Sequence, residues 1–314
     1  MSKPAFTGTV TILGIFAADL SFRAERLPNI GETLLSKGFA LGPGGKGSNQ
    51  AVAAARSGAR VRLITRVGAD TFGAMAREMW STEGIDTTRA AVDKDAPTGA
   101  AFIFVDESTG DNAIIVESGA AGRLEPSDLD QAQDAIIGAD VFMTQLEQPV
   151  EAAERGLQLA RSSGLLTVLN PAPAARIPES MWPLCDYVTP NESEASAITG
   201  ITVSDLDSAR HAGDRILALG VGCAILTLGD KGVLVHSAEM STPIPALTAG
   251  AVVDTTGAGD AFNGGFAAAL ARGAPVLEAA RFGCAVAGLS VTRPGTASSM
   301  PSRAEAEALL GPNG

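Results

Sequence analysis

The chain has 314 residues, 46% of them apolar, and a formal net charge of −12 at pH 7, enough apolar material for one large α/β core or two smaller ones. An acidic balance with no Lys/Arg cluster excludes a phosphate-backbone interface with nucleic acid. No apolar run approaches a membrane span, so no membrane partner is expected.

Cys185, Cys223 and Cys284 are odd in number and widely spaced, which matches neither a disulfide framework nor a zinc pattern, and a reducing cytoplasm is the expected compartment. His211 and His236 lie on separate segments, leaving a Ser/Cys–His hydrolase poorly supported.

The first strand is predicted at residues 10–14 and runs into Ile15-Phe16-Ala17-Ala18-Asp19. Ligands of open α/β sheets bind at the carboxyl ends of strands, where Asp19 could hold hydroxyl groups, although a plain turn aspartate reads the same way. The fingerprint G-x-G-x-x-G is missing from this turn, which disfavours a nicotinamide-dependent dehydrogenase. From Phe22 to Gly42, Pro28, Gly31 and Gly38 separate short apolar runs that read as strands of a small flap.

Gly42-Pro43-Gly44-Gly45-Lys46-Gly47-Ser48-Asn49-Gln50 then opens an Ala-rich helix ending near Gly58. It is not a P-loop, because Ala40 stands where that spacing demands Gly and Gly47 where it demands Ser or Thr. A glycine turn that admits a small polar ligand, with Asn49 offering both donor and acceptor, is the better reading.

A strand at 60–67 and a helix at 71–83 follow, stopped by Gly84. Residues 100–105 and 112–116, joined by Glu-Ser-Thr-Gly-Asp, form a predicted hairpin. Such hairpins are foreign to parallel α/β units; with the flap strands this one can make an accessory sheet that keeps water from a reaction. An ordinary edge hairpin is the competing reading.

Helix, strand and helix are predicted at 126–137, 141–144 and 149–163, and Glu147 follows the strand onto the same rim as Asp19. Strands at 165–169 and 187–189 lead to Pro190-Asn191-Glu192-Ser193-Glu194. Asn191 and Glu194 have capping-box spacing; a carboxylate here could equally organise a hydrated magnesium ion. A helix at 204–219 and a strand at 223–227 end in Thr227-Leu228-Gly229-Asp230-Lys231-Gly232, a hairpin connection or a turn that admits a nucleotide.

Next comes a predicted short strand, residues 251–253, running into Asp254-Thr255-Thr256-Gly257-Ala258-Gly259-Asp260-Ala261-Phe262-Asn263-Gly264. Gly257, Ala258 and Gly259 leave backbone N–H groups bare at a helix N-terminus, a phosphate cradle. A carboxylate beside phosphate is out of place unless it acts on the nucleophile, which makes Asp260 a candidate general base for phosphoryl transfer. Simple punctuation with a dipole-favoured Asp is the bland alternative. A helix at 276–291, a loop at 293–299 rich in carbonyls and hydroxyls, and a helix at 303–310 complete the chain.

The two motifs at 44–51 and 254–264, with Thr189–Glu194 and Thr227–Gly229 between them, resemble the ribokinase (PfkB-type carbohydrate kinase) family from Gly14 to Pro301. The resemblance implies a Rossmann-like three-layer α/β/α domain over residues 1–314, with a small β-sheet lid from about 20–43 and 98–118, transferring phosphate from ATP to a sugar hydroxyl. It implies Asp260 as base and Gly257, Ala258 and Gly259 as anion hole. Asp19, Gly45, Lys46, Gly47, Ser48, Asn49 and Glu147 would line the sugar site with Asp260. Asn191, Thr227, Leu228, Gly229, Asp230, Lys231, Gly232, Gly259 and Cys284 would contact ATP, with Glu194 organising Mg²⁺ indirectly. Asp254, Thr256, Ser290, Arg293, Gly295 and Ser299 would hold an activating K⁺, and a homodimer would share the lid sheet.

The sequence departs from the family at two places. Ala17-Ala18-Asp19 replaces the usual Asn-Ala-Asp; an unpaired sugar hydroxyl in a closed site costs on the order of 1–3 kcal/mol, about tenfold or more in affinity. Cys284 stands where relatives often carry a polar residue near adenine. A kinase for fructose, deoxyribose or a nucleoside therefore stays open beside ribose, as does a sensor without turnover.

Overall fold

The structure is a computed structural model that describes residues 7–110 and 112–311. From the N-terminus the elements are β1 (Thr9–Leu13), β2 (Ala17–Ala24), β3 (Gly38–Gly44), α1 (Lys46–Arg56), β4 (Arg60–Gly68), α2 (Thr71–Thr82), β5 (Asp86–Asp93), β6 (Thr98–Asp106) and β7 (Asn112–Gly119). There follow α3 (Pro126–Gln131), α4 (Gln133–Ile137), β8 (Val141–Thr144), α5 (Val150–Ser162), β9 (Leu166–Leu169), β10 (Tyr187–Val188), α6 (Glu192–Thr199), α7 (Leu206–Leu217) and β11 (Cys223–Thr227). β12 (Val233–Ser237), β13 (Ser241–Ile244), α8 (Ala258–Ala271), α9 (Val276–Ser290) and α10 (Arg303–Leu310) end the chain.

Nine strands form one sheet in the order β13-β12-β11-β10-β9-β8-β1-β4-β5, parallel from β11 to β5 and antiparallel at β12 and β13. Successive residues of its strands feed opposite cores, as a pleat with two buried faces requires. Val10 and Ile12, Val141 and Met143, and Ile225 join one core with α1, α2, α8, α9 and α10. Leu13, Phe142, Ala224 and Leu226 join the other with α3, α4, α5, α6 and α7. The result is a three-layer α/β/α sandwich.

β1 is flanked by β4 on one side and β8 on the other, the topological switch point where such sheets bind ligands beyond their carboxyl ends. α8 packs within the molecule, and every residue from 260 to 271 is buried. Its small side chains follow from that, since a helix covered all round needs small or apolar residues everywhere. A second sheet, in the order β3-β2-β6-β7, stands over the same end. Among the described residues no helix is long and apolar enough to cross a membrane.

Several expectations are corrected. Residues 251–253 are not a strand: Val252 and Val253 are exposed, and the amide of Val253 donates to Val291 O at the end of α9 instead of to a strand partner. The helix expected at 126–137 is two short ones, separated at Ala132, whose amide bonds back to Asp128 and Leu129. Asp19 does not end β1; the chain turns within three residues and Asp19 lies in β2 of the small sheet. The hairpin is longer than expected at both ends, and Asp111 of its turn lies outside the described residues.

Candidate active site

The site forms where α8 starts. Gly257 caps it with φ +78°, a left-handed conformation that side chains rarely adopt, and a Cβ there would come within 3.4 Å of Thr296. About two helical turns on, a Cβ on Gly264 would sit 2.4 Å from that of Ala53 and 2.6 Å from Gln50 O. Only a bare backbone lets α8 approach α1 this closely, and the approach brings Asn49 and Gln50 of α1 to Asp260. Asn49 Nδ2 donates to Asp260 Oδ2 at 2.9 Å and Gln50 Nε2 donates to Oδ1 at 3.0 Å. The carboxylate is 6% exposed, oriented by one amide on each oxygen.

Two cavities meet at this turn. The larger, about 760 Å³, is bounded by Ala17 and Asp19 of β2, Gly45, Lys46 and Asn49 at the start of α1, Glu147, and Thr255, Thr256, Gly257 and Asp260. The smaller, about 440 Å³, is bounded by Thr227, Gly229, Asp230, Gly232, Ala258 and Gly259, with an apolar end of Leu247, Val252, Phe262, Cys284, Ala287 and Val291. Asn191 and Thr255 border both. Among the described residues no lysine or arginine lines the smaller one, so an anion there must be met by backbone amides or an accompanying cation.

The larger cavity concentrates acids around one lysine. Burial pushes Glu147 up to about 7 and Asp19 up to about 6, opposed by Lys46 and by Thr296 respectively and reinforced by the nearby Asp260. Burial also raises Glu194. Burial works against the Lys46 ammonium, but Asp260, Glu147, Glu194 and Asp19 outweigh it and hold its pKa above the usual value. Glu147 also accepts from the Lys46 amide at 2.7 Å.

Folded Glu147 binds its proton more tightly than unfolded Glu147, so its contribution to stability is present below pH 4.5 and is lost as pH rises to about 7. Glu147→Gln should therefore flatten the decline of Tm with pH across that window relative to wild type. Parallel slopes in thermal scans of the ligand-free protein would remove Glu147 as a source.

Other residues singled out in the sequence are placed as follows. Gly47 and Ser48 are buried in α1 behind the cavity wall, and Ser48 Oγ accepts from Trp80 Nε1 at 2.9 Å. Asn191 and Glu194 form a reciprocal capping box, at 2.8 and 2.9 Å. Leu228 is buried, and Lys231 turns away to donate to Ser204 O at 2.9 Å. Asp254 accepts from the amides of Thr256 (2.9 Å) and Gly295 (3.0 Å), tying the cradle to the 293–299 loop. Within that region Ser290 and Ser299 donate to Ala287 O and Thr296 O, and Arg293 pairs with Glu305.

Gln50, Thr255, Asn170 and Thr296 border the site or hold its residues, with no local signal marking the part each plays. Thr296 Oγ1 donates to Pro43 O at 2.7 Å and lies 3.4 Å from Asp19, linking the small sheet to the cradle's neighbouring loop. Nothing local marks the bonds of Gln50 to Asn170 and Asp260 or of Thr296 to Pro43, because each joins residues more than a hundred positions apart.

A switch-point sheet carrying two adjoining cavities, divided by a bare helix N-terminus and a carboxylate, defines a class: enzymes that pass a phosphoryl group between two bound small molecules. Comparison with known proteins agrees. Residues 8–303 match the model of the pfkB family carbohydrate kinases. The chain is 41% identical over 297 residues to a ribokinase of Haemophilus influenzae, covering 95% of this chain and 96% of that one. It is 35% identical over 294 residues to a deoxyribokinase of Salmonella typhi, covering 93% and 95%. Its fold superposes with a TM-score of 0.89 on the ribokinase of Arabidopsis thaliana solved with ribose and ATP, at 29% identity, covering 98% and 99%. The chain belongs to the pfkB family of carbohydrate kinases and is a phosphotransferase whose acceptor is a sugar hydroxyl.

Proposed function

We propose that the chain is an ATP-dependent ribokinase that converts D-ribose and ATP to D-ribose 5-phosphate and ADP. The observation that carries it is the meeting of the two cavities across residues 255–260, with a carboxylate on one side and bare glycine on the other. The sugar occupies the larger cavity with Asp19, Gly45, Lys46, Asn49 and Glu147 around it. Asn49 Oδ1 is buried without a hydrogen-bond partner, ready to accept from a hydroxyl. ATP occupies the smaller, adenine against the apolar end beside Cys284 and phosphates toward Ala258 and Gly259.

Asp260 takes the proton of the attacking hydroxyl as its oxygen bonds to the γ-phosphorus, and ADP leaves. The amides of 257–259 meet the charge spread over the transferring oxygens. Mg²⁺, organised through Glu194, would neutralise the phosphates. The whole chain is read as one domain, the small sheet being its lid.

K⁺ would sit in the 254–299 region. Asp254 keeps lone pairs beyond its two amide bonds, whereas Ser290, Ser299 and Arg293, whose side chains are engaged, would offer carbonyl oxygens. Replacing K⁺ by Na⁺ should slow turnover; equal rates in the two salts would count against the site.

The small sheet also supports a homodimer. Its register puts Leu20, Phe22, Phe39, Leu41, Phe102 and Ile115 on one face, opposite Asp19 and Ile103, which border the cavity. Phe39 and Ile115 are 57% and 70% exposed, and an apolar face of this kind marks an interface. Sedimentation should give twice the 31.8 kDa chain mass, and Ile115→Glu should shift it toward the monomer; a monomeric wild type would end this reading.

A second substrate reading rests on Ala17, which borders the sugar cavity with no polar side chain. Deoxyribose, the substrate named for one relative, lacks a hydroxyl that ribose has. An ADP-release assay over ribose, deoxyribose, fructose and nucleosides decides. Turnover of another sugar but not ribose rejects ribokinase, and binding without any turnover favours a sensor.

A further inference from the structure

Behind Asp260 lies a buried chain of amides that borders neither cavity. Gln50 Nε2 donates to Asp260 Oδ1 (3.0 Å) and also to Asn170 Oδ1 (3.1 Å). Asn170, just past β9, passes its Nδ2 to Thr189 O (3.1 Å), just past β10. Thr189 Oγ1 donates to Asn263 Oδ1 (2.6 Å), and Asn263 Nδ2 donates to Gly259 O (2.8 Å). The path leaves from the carboxylate and returns to the carbonyl of the residue before it.

Gln50, Asn170, Thr189 and Asn263 are all buried. Asn170 and Asn263 each accept and donate through one side-chain amide, and Thr189 joins them through two separate groups, its main-chain oxygen accepting from Asn170 and its hydroxyl donating to Asn263. Leaving any member unpaired in this interior would cost a desolvation penalty, so each link holds the next in one orientation. Four elements contribute: α1, the ends of β9 and β10, and α8. The first turn of α8 is thereby gripped twice, through a side chain at 260 and through a main-chain oxygen at 259.

We propose that Gln50, Asn170, Thr189 and Asn263 are positioning residues that fix the Asp260 carboxylate relative to the 257–259 amides before substrates bind. The proposal rests on the reading of Asp260 as the base. Its physical content is preorganisation: base and cradle must both face one phosphorus, and displacement of a reacting group by about 1 Å can cost on the order of 10²-fold in rate. Because none of the four lines a cavity, losing one should alter turnover and leave binding.

The test is a double-mutant cycle with Gln50→Met and Thr189→Val, each made alone and with Asp260→Asn, reading kcat and both KM values. Gln50→Met should lower kcat about tenfold to a hundredfold, and Thr189→Val, distant from substrate and nearly isosteric, should lower it by a smaller factor. Both KM values should stay within about threefold of wild type, and neither change should reduce kcat further once Asp260 is Asn. A merely structural role would subtract equally in both backgrounds, and that result overturns the proposal, as does wild-type kcat in Thr189→Val. If Gln50→Met does not fold, the Thr189→Val cycle decides alone. Wild-type kcat in Asp260→Asn itself would instead remove the base reading, a separate failure.

Discussion

Asp260→Asn is expected to lower kcat by at least about 10²-fold while ATP and sugar still bind, the scale of losing a general base. The substitution keeps shape and removes the acceptor of the hydroxyl proton. It also brings an NH₂ against one of two donors, since Asn49 and Gln50 each point a hydrogen at the carboxylate. One of those bonds is lost, at a cost of about 1–3 kcal/mol if the donor stays unpaired. The Asp260 charge both raises the pKa values of Asp19, Glu147 and Glu194 and helps to hold Lys46 charged, so its removal relieves a repulsion and loses an attraction together. Folding should therefore survive. Steady-state rates with calorimetric titration of each ligand make the check, and a near-normal rate would strip Asp260 of its role.

Gly259→Val is expected to separate stability from activity. A Cβ at Gly259 meets nothing within 4 Å, so the fold does not require glycine there, unlike Gly257 and Gly264. In a helix, glycine is less favourable than alanine by about 1 kcal/mol, and most replacements recover part of this. Tm should hold or rise slightly. The new side chain would nonetheless stand where the transferring phosphoryl group approaches the amides, and loss of one such contact costs about 10²–10³-fold in kcat. Thermal unfolding and initial rates on one preparation check both halves. Unimpaired turnover would mean that phosphate does not approach this backbone.

Asp260→Asn removes one source of the raised Glu147 pKa, and so should flatten the fall of Tm with pH in the same sense as Glu147→Gln.

Asp260 and the 257–259 turn were legible because their chemistry is local: bare amides, a helix start and an acid stand within four residues. Asn191 and Glu194 were legible as a capping box for the same reason, and they form one. Asp19 was read as the end of β1 and lies in β2, because a three-residue turn between strands leaves no periodicity to mark it. Val252 and Val253 were misread as a strand because two valines next to a turn resemble one. Both valines are exposed, and the amides of Val253 and Asp254 donate to Val291 O, just past α9 and far along the chain, which no strand-like local pattern shows.

The amino-acid sequence alone carried the alternation of elements, the glycine-bearing helix start and the acid beside it. All of these follow from short-range periodicity and side-chain chemistry. Only the tertiary structure decided that α1 and α8 touch at Gly264, that Asn49 and Gln50 therefore hold Asp260, and that Asn170, Thr189 and Asn263 close a path back to Gly259. Apart from the Asn263–Gly259 bond, which lies within the first turns of α8, those contacts join residues from 19 to more than 200 positions apart. Their partners are chosen by the packing of whole helices against a sheet, which no local window of sequence encodes.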